Sequence, residues 1–259
     1  MQRWPVVTNA DVRAFWEAEA CGTGAGFLGD RDDRLSAEWF AEIESVRYEV
    51  EPFVHQVAQF TRYAGRRVLE IGVGAGTDHL QFARAGAVLS GVDLTDTAIE
   101  TTRAHLAVHG YTSDLCRADA EELPYDDGMF DLVYSYGVIH HAEHPERVVA
   151  EIRRVLRPEG EFRGMLYHRR SVVAYRRWVQ HCVKDRRLWP SVSSVLARYM
   201  ESPGTRAYTL TEARALFGEF ATCTVTPIVT PWDGRYLPRW VLGWIPGRYG
   251  WYLAVHAAA

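Results

Sequence analysis

The stretch VLEIGVGAG (residues 68–76), running on into TDHLQFARAGA (residues 77–87), decides the fold. An apolar run that breaks into Gly72, Gly74 and Gly76 and continues as an amphipathic pattern predicts a strand, a glycine loop and a helix N-terminus. Such a loop lets backbone amides approach a ligand closely, and the helix dipole favours negative charge there. A phosphate loop would need Gly-Lys-Ser/Thr at its end, which is missing, so ATP hydrolysis is not expected. A dinucleotide fingerprint would need GxGxxG, and Thr77 stands in its third position, which weakens a nicotinamide reading.

Glu70, at the end of the strand, suits a positively charged ammonium better than a pyrophosphate. The ligand that joins an ammonium to a ribose and an adenine is S-adenosylmethionine. Two further acids agree. Asp93 ends a second strand in LSGVDLT, where a carboxylate accepts bonds from both ribose hydroxyls, and Asp119 follows a third in CRADAEELPY, within reach of an adenine amino group. Three acids at the carboxyl ends of successive strands ring one crevice, the place where open α/β sheets bind ligands.

Working outward, residues 66–168 alternate strand-like and helix-like blocks, a rhythm that means a parallel sheet with helices on both faces. Thr95 suits an N-cap, Pro145 a first helical turn, and Gly110 and Gly160 helix ends. The segments VLEIGVGAGTDHLQFARAGA, GVDLTDTAIE, ADAEELPYDDGMFDLVYSYGVIHH and EIRRVLRPEGEF together resemble the successive motifs of class I S-adenosylmethionine-dependent methyltransferases of the small-molecule type. That resemblance covers residues 60–168. It implies a Rossmann-like α/β fold: a seven-stranded, mostly parallel sheet with an antiparallel last strand, for which GWYLAVHA (residues 250–257) is the candidate. It also implies that Glu70, Gly72, Gly74 and Gly76 hold the methionyl part, Asp93 the ribose, and Asp119 with Ala120 the adenine, with Leu94, Glu121 and Ser135 also on the cofactor. His140 would lie beside the sulfonium, and Tyr48, on a lid helix, would reach the methionine carboxylate. Glu159 in RPEGEF stands where such enzymes often have another glycine.

Outside the motifs, residues 1–62 read as an N-terminal helical cap with a CGTGAG turn (residues 21–26) and a helix over residues 36–63. Residues 63–259 form the cofactor-binding domain, with a helical substrate-side insertion at about 169–218. In SVVAYRRWVQHCVKDRR (residues 171–187), Val172, Tyr175, Val179 and Cys182 recur at helical spacing as one buried face, leaving Arg176, Arg177 and Arg187 available. Six of the nine tryptophans, Trp178, Trp189, Trp232, Trp240, Trp244 and Trp251, lie beyond residue 160 and suit the wall of an apolar pocket.

The expected activity is methyl transfer to an O, N or C atom of a small, partly apolar or aromatic metabolite. His140 or His141 would act as base, and Phe15, Trp16, Tyr136, Arg169 and Arg170 would meet the acceptor. The alternatives are a non-catalytic protein that binds the same cofactor and, more weakly, an NAD(P)-dependent oxidoreductase.

Composition narrows the rest. A net charge of −4 disfavours nucleic acid, and no Asn/Asp-Pro-Pro-Tyr type motif of nucleobase methylation follows the fourth strand. The opening residues hold no continuous apolar run for a signal peptide or anchor, so a cytoplasmic protein without membrane contact, monomeric or homodimeric, is expected. Cys21, Cys116, Cys182 and Cys223 are too scattered for a zinc knuckle or a disulfide framework and read as buried reduced thiols. His140, His141 and His144 have no second ligand cluster in sequence, so no metal is expected.

Overall fold

The computed structural model describes residues 7–18, 23, 32–184, 190–202, 204–234, 240 and 243–259. The CGTGAG turn apart from Thr23, and Arg187 and Trp189, lie outside the described residues.

The strands are β1 (Arg67–Ile71), β2 (Val88–Asp93), β3 (Asp114–Arg117), β4 (Phe130–Tyr136), β5 (Leu156–Tyr167), β6 (Thr222–Ile228) and β7 (Tyr252–Ala258). They form one sheet in the order β3-β2-β1-β4-β5-β7-β6. The first five run parallel, and β7 is antiparallel to both its neighbours, β5 and β6. GWYLAVHA is thus the last strand, as expected, while β6 is a strand that the sequence reading leaves unassigned.

The helices are α1 (Asn9–Glu17), α2 (Ala37–Val50), α3 (Val54–Ala58), α4 (Thr77–Arg84), α5 (Asp96–Val108), α6 (Pro145–Val155), α7 (Val172–Lys184), α8 (Val192–Tyr199) and α9 (Leu210–Leu216). Both faces of the sheet are covered because strand residues alternate. On one side Leu69, Ile71 and Val133 pack against Val148, Val149 and Ile152 of α6 and Ala213 of α9. On the other, Val68, Leu132 and Tyr134 pack against Val54, Leu80, Phe82 and Leu106. Helix α6 shows why it forms. Pro145 opens its first turn, and Val148, Val149, Ile152 and Val155 repeat at helical spacing to give one buried stripe.

Thr95 caps α5 by accepting from the Ala98 amide, and Gly110 follows that helix at φ +75°. Three local expectations are corrected. The helix over residues 36–63 is broken at Glu51 and Pro52 into α2, α3 and a 3-10 turn, because proline cannot continue an α-helix. Gly160 does not end a helix but lies inside β5. A Cβ there would come within 3.0 Å of the Phe130 and Arg157 carbonyl oxygens, so the close strand approach needs glycine. In α7 the side chains of Val173, Ala174 and His181 are buried, whereas Tyr175 and Val179 are 44% and 51% exposed. The periodicity found the helix and assigned it the wrong inner face.

The strand order reverses between β1 and β4. The crevice at their carboxyl ends is therefore the switch point of the sheet. No described helix is long and apolar enough to cross a membrane.

Candidate active site

At that crevice lies a cavity of about 440 Å³, walled by the loops after β1, β2, β3 and β4, by α1 and α2, and by residues from the C-terminal third. It has two halves.

The first half is built on the glycine loop. Gly72, Gly74 and Gly76 have φ of +80°, +53° and +75°. A Cβ on Gly72 would sit 2.1 Å from a Val138 methyl, and one on Gly76 would sit 2.9 Å from Thr102. The loop is thereby held against β4 and α5, and Gly72 and Gly74 line the cavity while Gly76 caps α4 behind it.

Glu70 reaches the cavity wall from β1 and is 3% exposed, with Oε2 2.9 Å from His79 Nδ1. The direction of that bond follows from its neighbours. The Ser113 hydroxyl donates to the Leu89 carbonyl, so at 2.9 Å from His79 Nε2 it accepts, and Nε2 carries the ring proton. Nδ1 then accepts from the carboxyl of Glu70. The pKa directions agree: burial and the nearby Asp78 and Asp93 push Glu70 well up, and burial lowers His79 to about 3. The pair stays neutral.

Asp93 faces the cavity from the end of β2. Its Oδ1 accepts from the Thr95 amide and hydroxyl and its Oδ2 from the Gly74 amide, and burial raises its pKa. Leu94 and Ala120 line the same half. Asp119 accepts from the Glu121 amide and, at 2.8 Å, from the Asn9 side chain. Asn9 also donates to Glu121, whose carboxylate lies outside the lining, and through its backbone amide to Glu143. Asn9 was not singled out in the sequence. It pins α1 over this end of the cavity.

Tyr48 lies outside the lining. Its hydroxyl donates to Asp78, which also accepts from Tyr134 and Arg47. It is Arg47, one residue earlier on α2, that faces the cavity. Its guanidinium lies 4.4 Å from the centre of the Tyr136 ring and is ion-paired to Asp78 and Glu51. The i,i+4 spacing of Arg47 and Glu51 was the available signal.

The second half is aromatic. Trp16, Tyr136, Tyr167, Trp232, Trp251 and Tyr252 form its wall with Met165 and Met200. Glu51 sits among them, accepting from Tyr252 at 2.6 Å and from Trp232 at 3.2 Å. His141 faces this half. His141 Nδ1 lies 2.7 Å from the Ser202 hydroxyl and 3.2 Å from that of Thr205, which donates to the Ser202 carbonyl. His141 Nε2 is buried, has no hydrogen-bond partner among the described residues, and lies 3.8 Å from Glu201 Oε2. Burial depresses the His141 pKa to about 3 and raises that of Glu201. Arg176 and Arg177 also reach the wall, and Arg177 Nε is buried without a hydrogen-bond partner among the described residues.

Several expected residues stand elsewhere. His140 is fully buried behind the wall, between His141 and Tyr167, and burial lowers its pKa well below neutral rather than leaving it near 7. Ser135 is buried beneath the loop. Phe15 is 43% exposed against Trp16. Arg169 pairs with Glu212, Arg170 is exposed, and neither lines the cavity.

This sheet order, with a glycine loop and the acids Glu70, Asp93 and Asp119 facing the cavity at the switch point, is that of the Rossmann-like methyltransferase fold. Residues 69–163 match the family model described as a methyltransferase domain. The ubiquinone biosynthesis O-methyltransferase of Aromatoleum aromaticum is 37% identical over 99 residues, covering 38% of this chain and 42% of that protein. The phthiotriol/phenolphthiotriol dimycocerosates methyltransferase of Mycobacterium tuberculosis is 36% identical over 110 residues, covering 42% of this chain and 40% of that one. The match thus spans about two fifths of the length of these curated relatives. Of solved structures, the [4+2]-cyclase SpnF has a TM-score of 0.60 at 16% identity, over 100% of this chain and 98% of that one, a likeness of fold alone. Others with this fold are S-adenosylmethionine-dependent methyltransferases. The fold does not choose the chemistry by itself.

Proposed function

We propose that the chain is an S-adenosylmethionine-dependent methyltransferase that methylates a hydroxyl oxygen of a small, partly aromatic metabolite. The observation that carries this reading is the single cavity, with a glycine loop and acids in one half and a neutral histidine among aromatic rings in the other.

The first half fits the cofactor by its donor set. Asp93 Oδ2 keeps a lone pair beyond its bond to Gly74, which suits a ribose hydroxyl, while Oδ1 is fixed by two bonds from Thr95. Asp119 and Ala120 would meet the adenine, and Gly72 and Gly74 would allow the methionyl chain to lie against the backbone. Glu70 would take the ammonium by losing its proton, and Arg47 rather than Tyr48 would meet the carboxylate. When bound, this cofactor supplies an electrophilic methyl group, so the protein has only to align the acceptor and exclude water.

The protein's own chemistry lies in the second half. In this reading His141, a residue of the cavity wall held through Nδ1 by the Ser202 and Thr205 hydroxyls, takes the hydroxyl proton on Nε2 as the acceptor oxygen becomes nucleophilic. Glu201, 3.8 Å away, stabilises the imidazolium that forms. Tyr136, Tyr167, Trp232, Trp251 and Tyr252 sandwich the flat part of the acceptor, and Arg176 and Arg177 meet any anionic substituent. An oxygen acceptor is favoured over a neutral amine because a hydroxyl needs such a base at neutral pH, and over carbon because a matched relative is named an O-methyltransferase. The N-terminal segment, through Asn9 and Trp16, would close over both ligands, and α7 and α8 would form the acceptor side.

The test is incubation with methyl-labelled cofactor and metabolite fractions, followed by mass spectrometry. A labelled methyl ether in a phenolic or enolic product supports the reading. Label on nitrogen or carbon alone would move the acceptor atom, and no labelled product from a chain that binds the cofactor would favour a binding protein.

A further inference from the structure

Helices α2 and α5 meet beside the glycine loop, where Phe40 and Ile43 of α2 pack on Ala75. His105 of α5 is fully buried there. Its Nδ1 lies 2.8 Å from the Ala75 carbonyl, which can only accept, so Nδ1 carries the proton and Nε2 the lone pair. That Nε2 is buried and has no hydrogen-bond partner among the described residues. The ring cannot turn to find one, because Phe40 stacks on it at 4.1 Å and 6°. A buried acceptor left unpaired is costly, which calls for a ligand. One turn further on stands His109, exposed, and across from both stands Glu44 of α2. The donor atoms of Glu44, His105 and His109 all lie within 4.8 Å of one another. Gln81 and Arg84 both bond Glu44 through Oε1, which fixes the carboxylate and leaves the lone pairs of Oε2.

We propose that Glu44, His105 and His109 bind a divalent transition metal of the zinc type, with a fourth position open to water. Two imidazole nitrogens and one carboxylate oxygen suit zinc, cobalt or nickel and do not suit calcium or magnesium, which take oxygen ligands. Tetrahedral bonds of 2.0–2.2 Å put donors about 3.4 Å apart, a closure that the exposed His109 is free to make. The Nδ1–H bond of His105 to a backbone carbonyl is the outer-shell contact that orients a metal-bound histidine. The metal would fasten α2, which also places Arg47 and Glu51 in the cavity wall, to the loop that carries Ala75.

The test uses the full chain, stripped with a chelator and titrated with zinc chloride by calorimetry and with cobalt(II) by visible absorption. One metal per chain, tetrahedral cobalt bands and a melting temperature that rises with zinc are expected. His109→Ala, an exposed change that should leave metal-free melting unaltered, should weaken binding by more than about tenfold, as should Glu44→Gln. Absence of binding, or binding that both variants leave unchanged, overturns the site. No methyl donor enters these measurements, so they stand apart from the proposed reaction.

Discussion

The two halves of the cavity differ in how they are made. The half proposed for the cofactor is local: β1 delivers Glu70 and the glycine loop, β2 delivers Asp93, and the loop after β3 delivers Asp119, each a few residues from a strand end. The half proposed for the acceptor is assembled from Glu51, Tyr136, Tyr167, Arg177, Glu201, Trp232 and Tyr252, which share no element and meet only when β7 and α7 pack beside β5. A local site can be read from spacing. An assembled one is visible only in the packed chain.

The largest effect expected from breaking this comparison is in the acceptor half alone. His141→Gln keeps bulk but removes the base, so kcat should fall roughly 100-fold with cofactor affinity unchanged. Steady-state kinetics beside calorimetry checks this. Because the His141 pKa is held at about 3, the wild-type rate should show no histidine limb between pH 5 and 7.

Breaking the cofactor half should instead cost stability as well. Gly72→Ala forces a side chain into a left-handed backbone and against Val138, and should destabilise the fold by about 2 to 4 kcal/mol in denaturant titration.

A third expectation concerns pH. His79 and His141 are held near 3 and His105 near 4, against about 6.5 in an unfolded chain. Between those values the unfolded state binds more protons, so this stability is complete above pH 6.5 and is lost as pH falls. Melting temperature should already decline between pH 6.5 and 5, above the range where ordinary carboxylates titrate. Glu70, held protonated, contributes with the opposite sign, so the profile is read in a Glu70→Gln variant, where a flat line would mean that these rings are not sealed.

A smaller effect separates the halves again. Since Glu70 holds a proton that an ammonium would displace, cofactor binding should release a proton and tighten as pH rises, seen as a binding enthalpy that varies with the buffer. Least of all, Arg169→Gln, on a residue paired with Glu212 outside the cavity, should change stability by no more than about 0.5 kcal/mol and leave acceptor KM unaltered.

The same contrast explains what was legible in the sequence. The sheet, the glycine loop, Asp93 and the last strand were readable because each rests on a short-range pattern. Tyr48 was chosen and Arg47 passed over because both side chains reach Asp78 and their neighbouring positions on α2 do not say which one also faces the cavity. Arg169 and Arg170 looked well placed after β5, yet the arginines of this segment that reach the wall are Arg176 and Arg177, about two turns further along. Apolar spacing in α7 pointed to Tyr175 and Val179, whereas the inner face carries the small or polar residues Ala174 and His181 beside Val173, with the half-buried Arg177 at the cavity. His140 and His141, adjacent in sequence, part company for the same reason: one is sealed behind Tyr167 and the other opens on the cavity.

The account rests on the first half of the cavity holding S-adenosylmethionine through Asp93, and calorimetry with S-adenosylhomocysteine tests that most directly. The wild-type chain should bind one equivalent, and Asp93→Ala, with its melting checked, should lose about 2 to 4 kcal/mol of affinity, since each charged hydrogen bond contributes about 1.5 to 3 kcal/mol before water compensates. Unchanged affinity in Asp93→Ala, or equal binding of NAD, would contradict it.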